Sequence, residues 1–452
     1  MALILYIIFG CIVLGCLFFQ LLRKNPIYNG LLFSSFVFFV FYFLSPFLVL
    51  LNFNSNSFGL YKFIIFNPQR LDIPIINFFC FILFYFGWKI GDKIKAEAFN
   101  FYPKKNITNV LLIFGFFLGL LGYFSYVHSL GGVFNSLAIG ALLRYNDSSV
   151  DQESIGELGV LRYFIYSFEL ILYYYISYKK SKVELTLIHK IIFAVSFTLL
   201  TLYYLSIASR GAFIGLVLFF IFTNAADVKS SMKQLLNTQG LLILGFVFLF
   251  IAYAKQLFFA LPSLYSFNLT EFVNRFHEIN EIRSDEITGF ISVLVKETSH
   301  AVVSLVSAID NDNTYQYQFF IDFIRLPIDL LPAKLLGIEV NNHFSISAIN
   351  TSLIQDINLA SSPPGIVAML YYNVGWIGFV LIFFYGYVGG RINKKIILMK
   401  DNTYRNMFMF CFIYLYSMFL GNGDIKVFVF DAFPLIILIG ILYLRKYILC
   451  VV

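Results

Sequence analysis

The sequence opens with MALILYIIFGCIVLGCLFFQLLRKN (1–25), an almost unbroken apolar run that ends in the basic residues Arg23 and Lys24. A helix of about twenty apolar residues crosses the ~30 Å hydrocarbon core of a bilayer. The stretch has no basic start and no small-residue cleavage site. It therefore predicts a first membrane-spanning helix and not a removable signal.

The same pattern recurs along the chain. Of its 452 residues, 60% are hydrophobic and only 13% are charged, whereas a soluble domain is about half apolar and a quarter charged. We therefore predict an all-α protein, a polytopic transmembrane helical bundle of about 11–12 spans. Spans are predicted at 2–22, 27–51, 73–90, 107–128, 160–178, 187–206, 211–225, 240–256, 364–387, 406–420 and 427–445.

The basic residues predict the orientation of these spans. Lys and Arg are concentrated in alternate short loops, and such loops face the cytoplasm. The N-terminus is then outside, the C-terminus is cytoplasmic, and a medium loop (129–159) and a large loop (257–363) lie outside. The large loop separates N-terminal transmembrane helices (1–256) from C-terminal ones (364–452).

Two helices are predicted within the large loop. Residues 269–283 have apolar side chains at helical spacing, which predicts an amphipathic helix. Residues 287–310 are nearly apolar enough to span, but Lys296, Glu297 and His300 interrupt the run. We expect this second helix to lie on the membrane surface.

The composition also bounds the ligands. No pair of the five cysteines resembles a disulfide framework, and no two of the five histidines lie at a zinc-ligand spacing. We expect neither a metal nor a cofactor. The basic residues are scattered in short loops, so nucleic acid is not an expected partner.

Arg210 is a charged residue in the apolar stretch SIASRGAFIG (206–215), at the outer boundary between two predicted spans. Charges within the membrane are costly and tend to face a cavity. Ser209 can cap the following helix, and Gly211 lets a ligand approach the backbone. A helix N-terminus beside a guanidinium suits a phosphate, so we interpret this turn as an anion site. The alternative is an arginine that snorkels to the interface.

A second candidate is SSPPGIVAMLYYNVGWIGFV (361–380). Ser362 is an N-cap candidate and Pro364 suits a first helical turn. The predicted helix then starts at the outer surface with free backbone donors, either as a phosphate cradle or simply as a well-formed helix start. Tyr372 and Asn373 follow and are candidates for facing a sugar, although tyrosine is normally an interfacial anchor.

Five further residues are candidates. Glu169 and Asp431 are predicted intramembrane carboxylates, which are functional candidates by default. The alternative is that a pairing with a buried Tyr or Arg explains each of them structurally. His343 in the large loop is a candidate base or phosphate ligand, or else simply solvated. Arg144 and Arg325 are loop arginines that suit an anionic ligand. Each precedes a glycine by twelve residues, a coincidence that chance explains.

Three segments in this order carry a family resemblance: SRGAF (209–213), LPIDLLPAK (326–334) and SSPPGIVAMLYYNVGWIGF (361–379). With these segments and its hydropathy, the chain resembles the Wzy-type O-antigen polymerases, the oligosaccharide repeat-unit polymerases of the bacterial inner membrane. The resemblance implies a periplasmic site that moves a growing chain from undecaprenyl diphosphate onto a new lipid-linked repeat unit in lipopolysaccharide biosynthesis.

The resemblance also implies roles and partners. Arg210 would hold the lipid diphosphate, with Glu169 or His343 as the base. Expected partners are the undecaprenyl-diphosphate-linked oligosaccharide and the bilayer, together with a chain-length regulator and a flippase. Two alternatives remain open. One is an O-antigen ligase of similar topology. The other is a flippase for the same lipid-linked units, in which internal repeats and short loops on both sides are expected.

Overall fold

The computed structural model describes residues 1–22, 29–51, 70–96, 105–137, 161–180, 186–207, 269–282, 298–329, 345–355, 363–400 and 402–433, with single positions at 257, 260, 263, 435 and 436. Every regular element within these ranges is helical.

Five helices in the described part of the chain are long and apolar enough to cross a membrane. They confirm a multi-pass helical membrane protein and agree with the first four predicted spans and the sixth. They are α1 (Ala2–Leu21), α2 (Gly30–Leu51), α3 (Asp72–Lys93), α4 (Lys105–Ser129, spanning from Leu112) and α6 (Leu187–Ser206).

The remaining helices are shorter or more polar. A 3₁₀-helix (Leu161–Tyr166) leads into α5 (Ser167–Lys180). The others are α7 (Leu269–Ile282), α8 (His300–Asp310), α9 (Ile321–Asp329), α10 (Ile346–Gln355), α11 (Gly365–Val374), α12 (Ile377–Ile397), α13 (Asn402–Asn422) and a helical segment at 425–433. The amphipathic helix predicted at 269–283 is present as α7. The predicted spans at 211–225 and 240–256 lie outside the described residues.

Helices α3 and α12 pack backbone against backbone. Each has two glycines four residues apart, Gly87 and Gly91 on α3 and Gly386 and Gly390 on α12. A Cβ atom at any of these four positions would collide with a main-chain carbonyl of the opposite helix. Small residues at this spacing are how membrane helices reach such close contact.

The register of this pair gives the helices their relative direction. Gly386 lies against the backbone of Phe84, and Gly390 lies against that of Trp88. Residue numbers therefore rise together along the pair, and α3 and α12 run parallel. Both helices end in basic residues, and the Arg391 guanidinium donates a hydrogen bond to the carbonyl of Lys95 at 2.8 Å. We call this the basic end of the bundle.

The opposite end, where α3 and α12 begin, is tied to the predicted large loop by an ion-pair network. Arg70 pairs with Asp72 at the start of α3 (2.9 Å) and with Asp310 at the end of α8 (2.7 Å). We call this the acidic end. Four short helices, α8 to α11, cover it, and we call them the cap.

The prediction that 287–310 lies on the membrane surface is wrong for its described part. In α8, Ala301 to Val306 are almost completely buried, with exposed fractions of 0%. The helix packs between α10, α11 and the π-helical turn in the middle of α2 (Val40–Leu44). It can do so because from residue 301 to residue 308 it carries only small or apolar side chains, whereas Lys296 and Glu297 lie outside the described residues.

The single span predicted at 364–387 is also wrong, because the helix breaks at Gly375. Gly375 has φ +61°, and its N–H caps α11 by donating to the carbonyl of Tyr371 at 2.7 Å. Gly378 on α12 lies directly against the carbonyl of Leu370, so α11 folds back beside the first turns of α12. Although the predicted boundary at 364 assigns α11 to the C-terminal spans, it packs with the cap.

Candidate functional site

Two carboxylates that the sequence singled out separately lie close together. Glu169 on α5 and Asp431 on the 425–433 segment are near enough to interact electrostatically. Tyr204 donates a hydrogen bond to one oxygen of Glu169, and Tyr173 donates to the other at 3.4 Å. Tyr166 and Tyr414 each interact with both carboxylates. We call these six residues the carboxylate–tyrosine cluster.

The 3₁₀-helix Leu161–Tyr166 joins the part of this cluster on α5 to the part on the 425–433 segment. Tyr163 stacks on Phe430, with ring centroids 3.7 Å apart and an interplanar angle of 3°, and the ring centroid of Phe164 lies 5.4 Å from that of Phe433. On the other side, Gly122 of α4 approaches the backbone of the 3₁₀-helix closely. Aromatic stacking therefore places Asp431 beside the first turn of α5, where Glu169 lies.

Arg162 adds a cation at the edge of the cluster. Its guanidinium donates a hydrogen bond to the Tyr163 hydroxyl at 3.0 Å and lies 5.0 Å from the centroid of that ring. It also interacts with Tyr203 and Tyr166. Among the described residues, no carboxylate lies within ion-pair distance of Arg162. A guanidinium with this environment is suited to an anionic ligand.

Arg162 is a residue of this site that was not predicted from the sequence. The residue precedes a predicted span, where an arginine is ordinary. The available signal was the sequence LRYFIYSFELILYYY (161–175), in which one arginine and one glutamate stand among seven aromatic residues.

This arrangement can perform acid–base and binding chemistry. A carboxylate held by tyrosine hydroxyls can accept a proton from a substrate hydroxyl. Phenol groups can donate hydrogen bonds to sugar oxygens or lie against a sugar ring. A guanidinium can stabilise negative charge that develops on a departing group. The cluster therefore unites the parts that a transfer between hydroxylated substrates needs.

The start of α11, predicted as a phosphate cradle with free donors, is closed in the structure. The Val367 N–H donates to the Tyr42 hydroxyl at 3.4 Å, and Pro364 is buried. Gly365 has φ +73°, and a Cβ atom there would lie 2.7 Å from the Ala301 side chain. Tyr42 and α8 therefore pack directly against this helix start. Ser362 lies outside the described residues.

Tyr372 and Asn373 are buried and bonded within the cap. The Tyr372 hydroxyl donates to the Asn350 side chain at 3.0 Å. Asn373 donates to the Met369 carbonyl at 2.8 Å, and its own side-chain oxygen accepts the N–H of Phe320 at 2.6 Å. Both side chains are therefore held by hydrogen bonds within the protein, and their contact with a sugar stays a prediction.

Asp424 and Asp322 position the cap in a similar way. Asp424 accepts the N–H groups of Lys426 (2.9 Å) and Val427 (3.2 Å), and so caps the helical segment that carries Asp431. Ser347 of α10 donates to the same carboxylate. Asp322 accepts the N–H of Ile346 at the start of α10, at 2.9 Å. The Ser347–Asp424 hydrogen bond therefore connects α10 to the helical segment that carries Asp431.

The sequence also contains an Asp-x-Asp pattern at Asp310–Asp312, a pattern that can hold a divalent cation when its carboxylates are available. Asp310 is paired with Arg70. Asp312 accepts a hydrogen bond from the Tyr317 hydroxyl at 2.8 Å, and this bond raises the pKa of Tyr317. Both carboxylates therefore serve to fix the segment that follows α8.

The other candidates fall in two groups. Arg325 lies on α9 in the cap, partly exposed. The remaining predicted site residues lie outside the described part of the chain: Arg144, Ser209, Arg210, Gly211, His343 and Ser362.

No protein-family model matches this chain, and no match is found among curated proteins or among solved structures.

Proposed function

We propose that this chain is an O-antigen polymerase, a membrane glycosyltransferase that joins undecaprenyl-diphosphate-linked oligosaccharide repeat units at the acidic end of the bundle, on the periplasmic side. The observation that carries the proposal is the carboxylate–tyrosine cluster with Arg162 at its edge. The charge asymmetry of the bundle supports the orientation, because basic ends of membrane helices face the cytoplasm.

In the proposed reaction, Glu169 takes the proton from a hydroxyl of the new repeat unit. The freed oxygen attacks the anomeric carbon of the growing chain, and the bond from that carbon to the lipid diphosphate breaks. Negative charge then develops on the departing diphosphate. Arg210 would neutralise this charge, and Arg162 is a second cation suited to it. Asp431 and the tyrosines bind sugar hydroxyls.

Transport of the same lipid-linked units by a flippase is the second candidate. Ionisable residues within membrane helices also mark substrate and ion paths, and Glu169 and Asp431 are such residues. The O-antigen ligase remains an alternative on the resemblance alone.

Deletion of the gene in its native strain separates these functions on a lipopolysaccharide gel. Loss of a polymerase leaves lipid A core carrying one repeat unit. Loss of a ligase leaves bare core, with polymer retained on its lipid carrier. Loss of a flippase leaves bare core, with single units trapped on the cytoplasmic side. Either bare-core result would overturn the proposal.

Glu169→Gln and Asp431→Asn test the cluster itself. Because a general base contributes about 10²–10⁴-fold to rate, we expect Glu169→Gln to reduce the ladder to single-repeat lipopolysaccharide at an unchanged protein level. Asp431→Asn should shorten the ladder less severely. Asp92→Asn, at the basic end of α3, is the matched control and should leave the ladder normal. A full ladder from Glu169→Gln would remove Glu169 from the reaction.

A further inference from the structure

The cap carries an exposed apolar patch that nothing in the proposed reaction uses. Phe319 is 68% exposed, Phe323 is 39% exposed and Ile324 is 73% exposed. All three belong to the short stretch that enters α9 and forms its first turn. We call them the Phe319–Ile324 patch.

The backbone that carries Phe319 is anchored to α11 by hydrogen bonds. Phe319 and Phe320 have φ values of 45° and 61°, a left-handed conformation that residues with a side chain rarely adopt. Such strain persists only where surrounding contacts impose it. Here the N–H groups of three consecutive residues are bonded to the end of α11. They are Gln318 to the Tyr372 carbonyl (3.0 Å), Phe319 to the Asn373 carbonyl (3.1 Å) and Phe320 to the Asn373 side chain (2.6 Å).

The patch continues an apolar stripe on α12. That helix begins at Ile377, four residues after Asn373, and exposed apolar side chains follow on one face at spacings of three and four residues. They are Ile377 (68%), Val380 (50%), Phe384 (57%) and Val388 (49%), preceded by Trp376 (57%). The opposite face of α12 packs its glycines on α3, a helix apolar enough to cross a membrane. An exposed apolar face on a helix packed this closely against a candidate membrane span is expected to face lipid.

We propose that the Phe319–Ile324 patch inserts into the bilayer at the acidic end and seats the cap on the lipid. Phe319 lies above the first turn of α12, because its N–H binds the carbonyl of Asn373, and so it extends the lipid-facing stripe past the helix start. Aromatic and aliphatic side chains at this level bind the boundary between head groups and acyl chains. The strained backbone fixes the direction in which Phe319 projects.

Tryptophan fluorescence tests this insertion. The chain has two tryptophans, Trp88, which is 2% exposed, and Trp376. In a Trp376→Phe background, tryptophan replaces Phe319, Ile324 or, as the control, Asn313, an exposed polar residue in the loop before α9. The full chain is reconstituted in vesicles whose lipids carry bromine on the upper part of the acyl chain. Bromine quenches nearby indole, and Trp88 gives the same background in every variant.

We expect Phe319→Trp and Ile324→Trp to lose more emission in brominated than in unbrominated vesicles, and Asn313→Trp to lose no more than the parent. Equal losses at all three positions would overturn the proposal. A second copy of the chain covering the patch would instead give blue-shifted, unquenched emission that reddens in nanodiscs holding one protein molecule, and this too would overturn it. The readout does not depend on enzymatic activity.

Discussion

Glu169 and Asp431 lie in opposite halves of the chain, and their proposed role depends on their being close together in the fold. Local sequence predicted each as an intramembrane carboxylate, because an ionisable residue in an apolar run is informative by itself. It could not predict their proximity, which depends on Tyr163 stacking on Phe430. It also missed Arg162, whose environment is formed by tyrosines from other helices.

Asn373 is a polar residue in an apolar helix, and the hydrogen bonds described for it lie within the protein. Asn373→Ala would leave the N–H of Phe320 without its acceptor, and an unsatisfied buried donor costs about 1–3 kcal/mol. We therefore expect a lower melting temperature in detergent and less protein in the membrane. Asn313→Ala, on the exposed loop before α9, is the matched control. Full stability with lost polymerisation would instead return Asn373 to substrate binding.

Arg210 lies outside the described residues, and its role stays a prediction. If it holds the lipid diphosphate, Arg210→Ala should lower polymerisation by roughly a hundredfold or more, since a lost charge-assisted contact at a transition state costs ~2–4 kcal/mol. Arg210→Lys keeps the charge without the planar fork and should lose less. Ladder length and membrane protein level are measured together. Degradation of the alanine variant would indicate a structural anchor.

Among the helices, α8 and α11 are the two whose placement hydropathy predicted incorrectly. A short apolar run predicts burial, but it does not distinguish burial in lipid from burial in protein. Gly375 was the available signal for the break between α11 and α12, since glycine is the usual residue at a left-handed helix end. The ends of the long spans were predicted within a few residues because the thickness of the hydrocarbon core sets the length of a spanning helix.

The contact between α3 and α12 gives a sharp test of helix packing. Gly386→Ala would place a methyl group on the Phe84 carbonyl, so the helices must separate. Overpacking of this kind costs about 1–3 kcal/mol, and we expect earlier thermal aggregation by size-exclusion chromatography after heating. Gly15→Ala on α1 is the control, because no atom beyond the two neighbouring residues and the local helix backbone lies within 4 Å of the added methyl. Equal stability of the two variants would mean that α3 and α12 are not in backbone contact.

For the whole molecule, composition was sufficient to predict a multi-pass helical protein. The positions of Lys and Arg predicted that the two ends of the bundle differ chemically. The structure shows the same asymmetry, with Arg391 and Lys95 at one end and the Arg70 network at the other. What composition could not predict is the cap, because hydropathy specifies neither its individual hydrogen bonds nor which neighbour buries each short apolar helix.

Reporter fusions test the orientation of these ends. A reporter inserted in the 257–363 loop is expected to register as periplasmic, and one within 391–405 as cytoplasmic, because the basic loops stay inside. The two fusions control for each other's expression. Cytoplasmic labelling of the large loop would place the carboxylate–tyrosine cluster on the wrong side for the proposed reaction.

The parallel pairing of α3 and α12 has a consequence for biosynthesis. About 280 residues separate the two helices in the chain. At roughly 5–20 residues per second, α3 enters the membrane about 15–60 s before its partner is made. The glycine face of α3 therefore stays an open groove, without α12, while the intervening segments are synthesised. Packing of α12 into that groove is therefore a late step of assembly. A truncated nascent chain lacks α12 and leaves the groove open, a feature by which quality-control proteases could distinguish it from the finished protein.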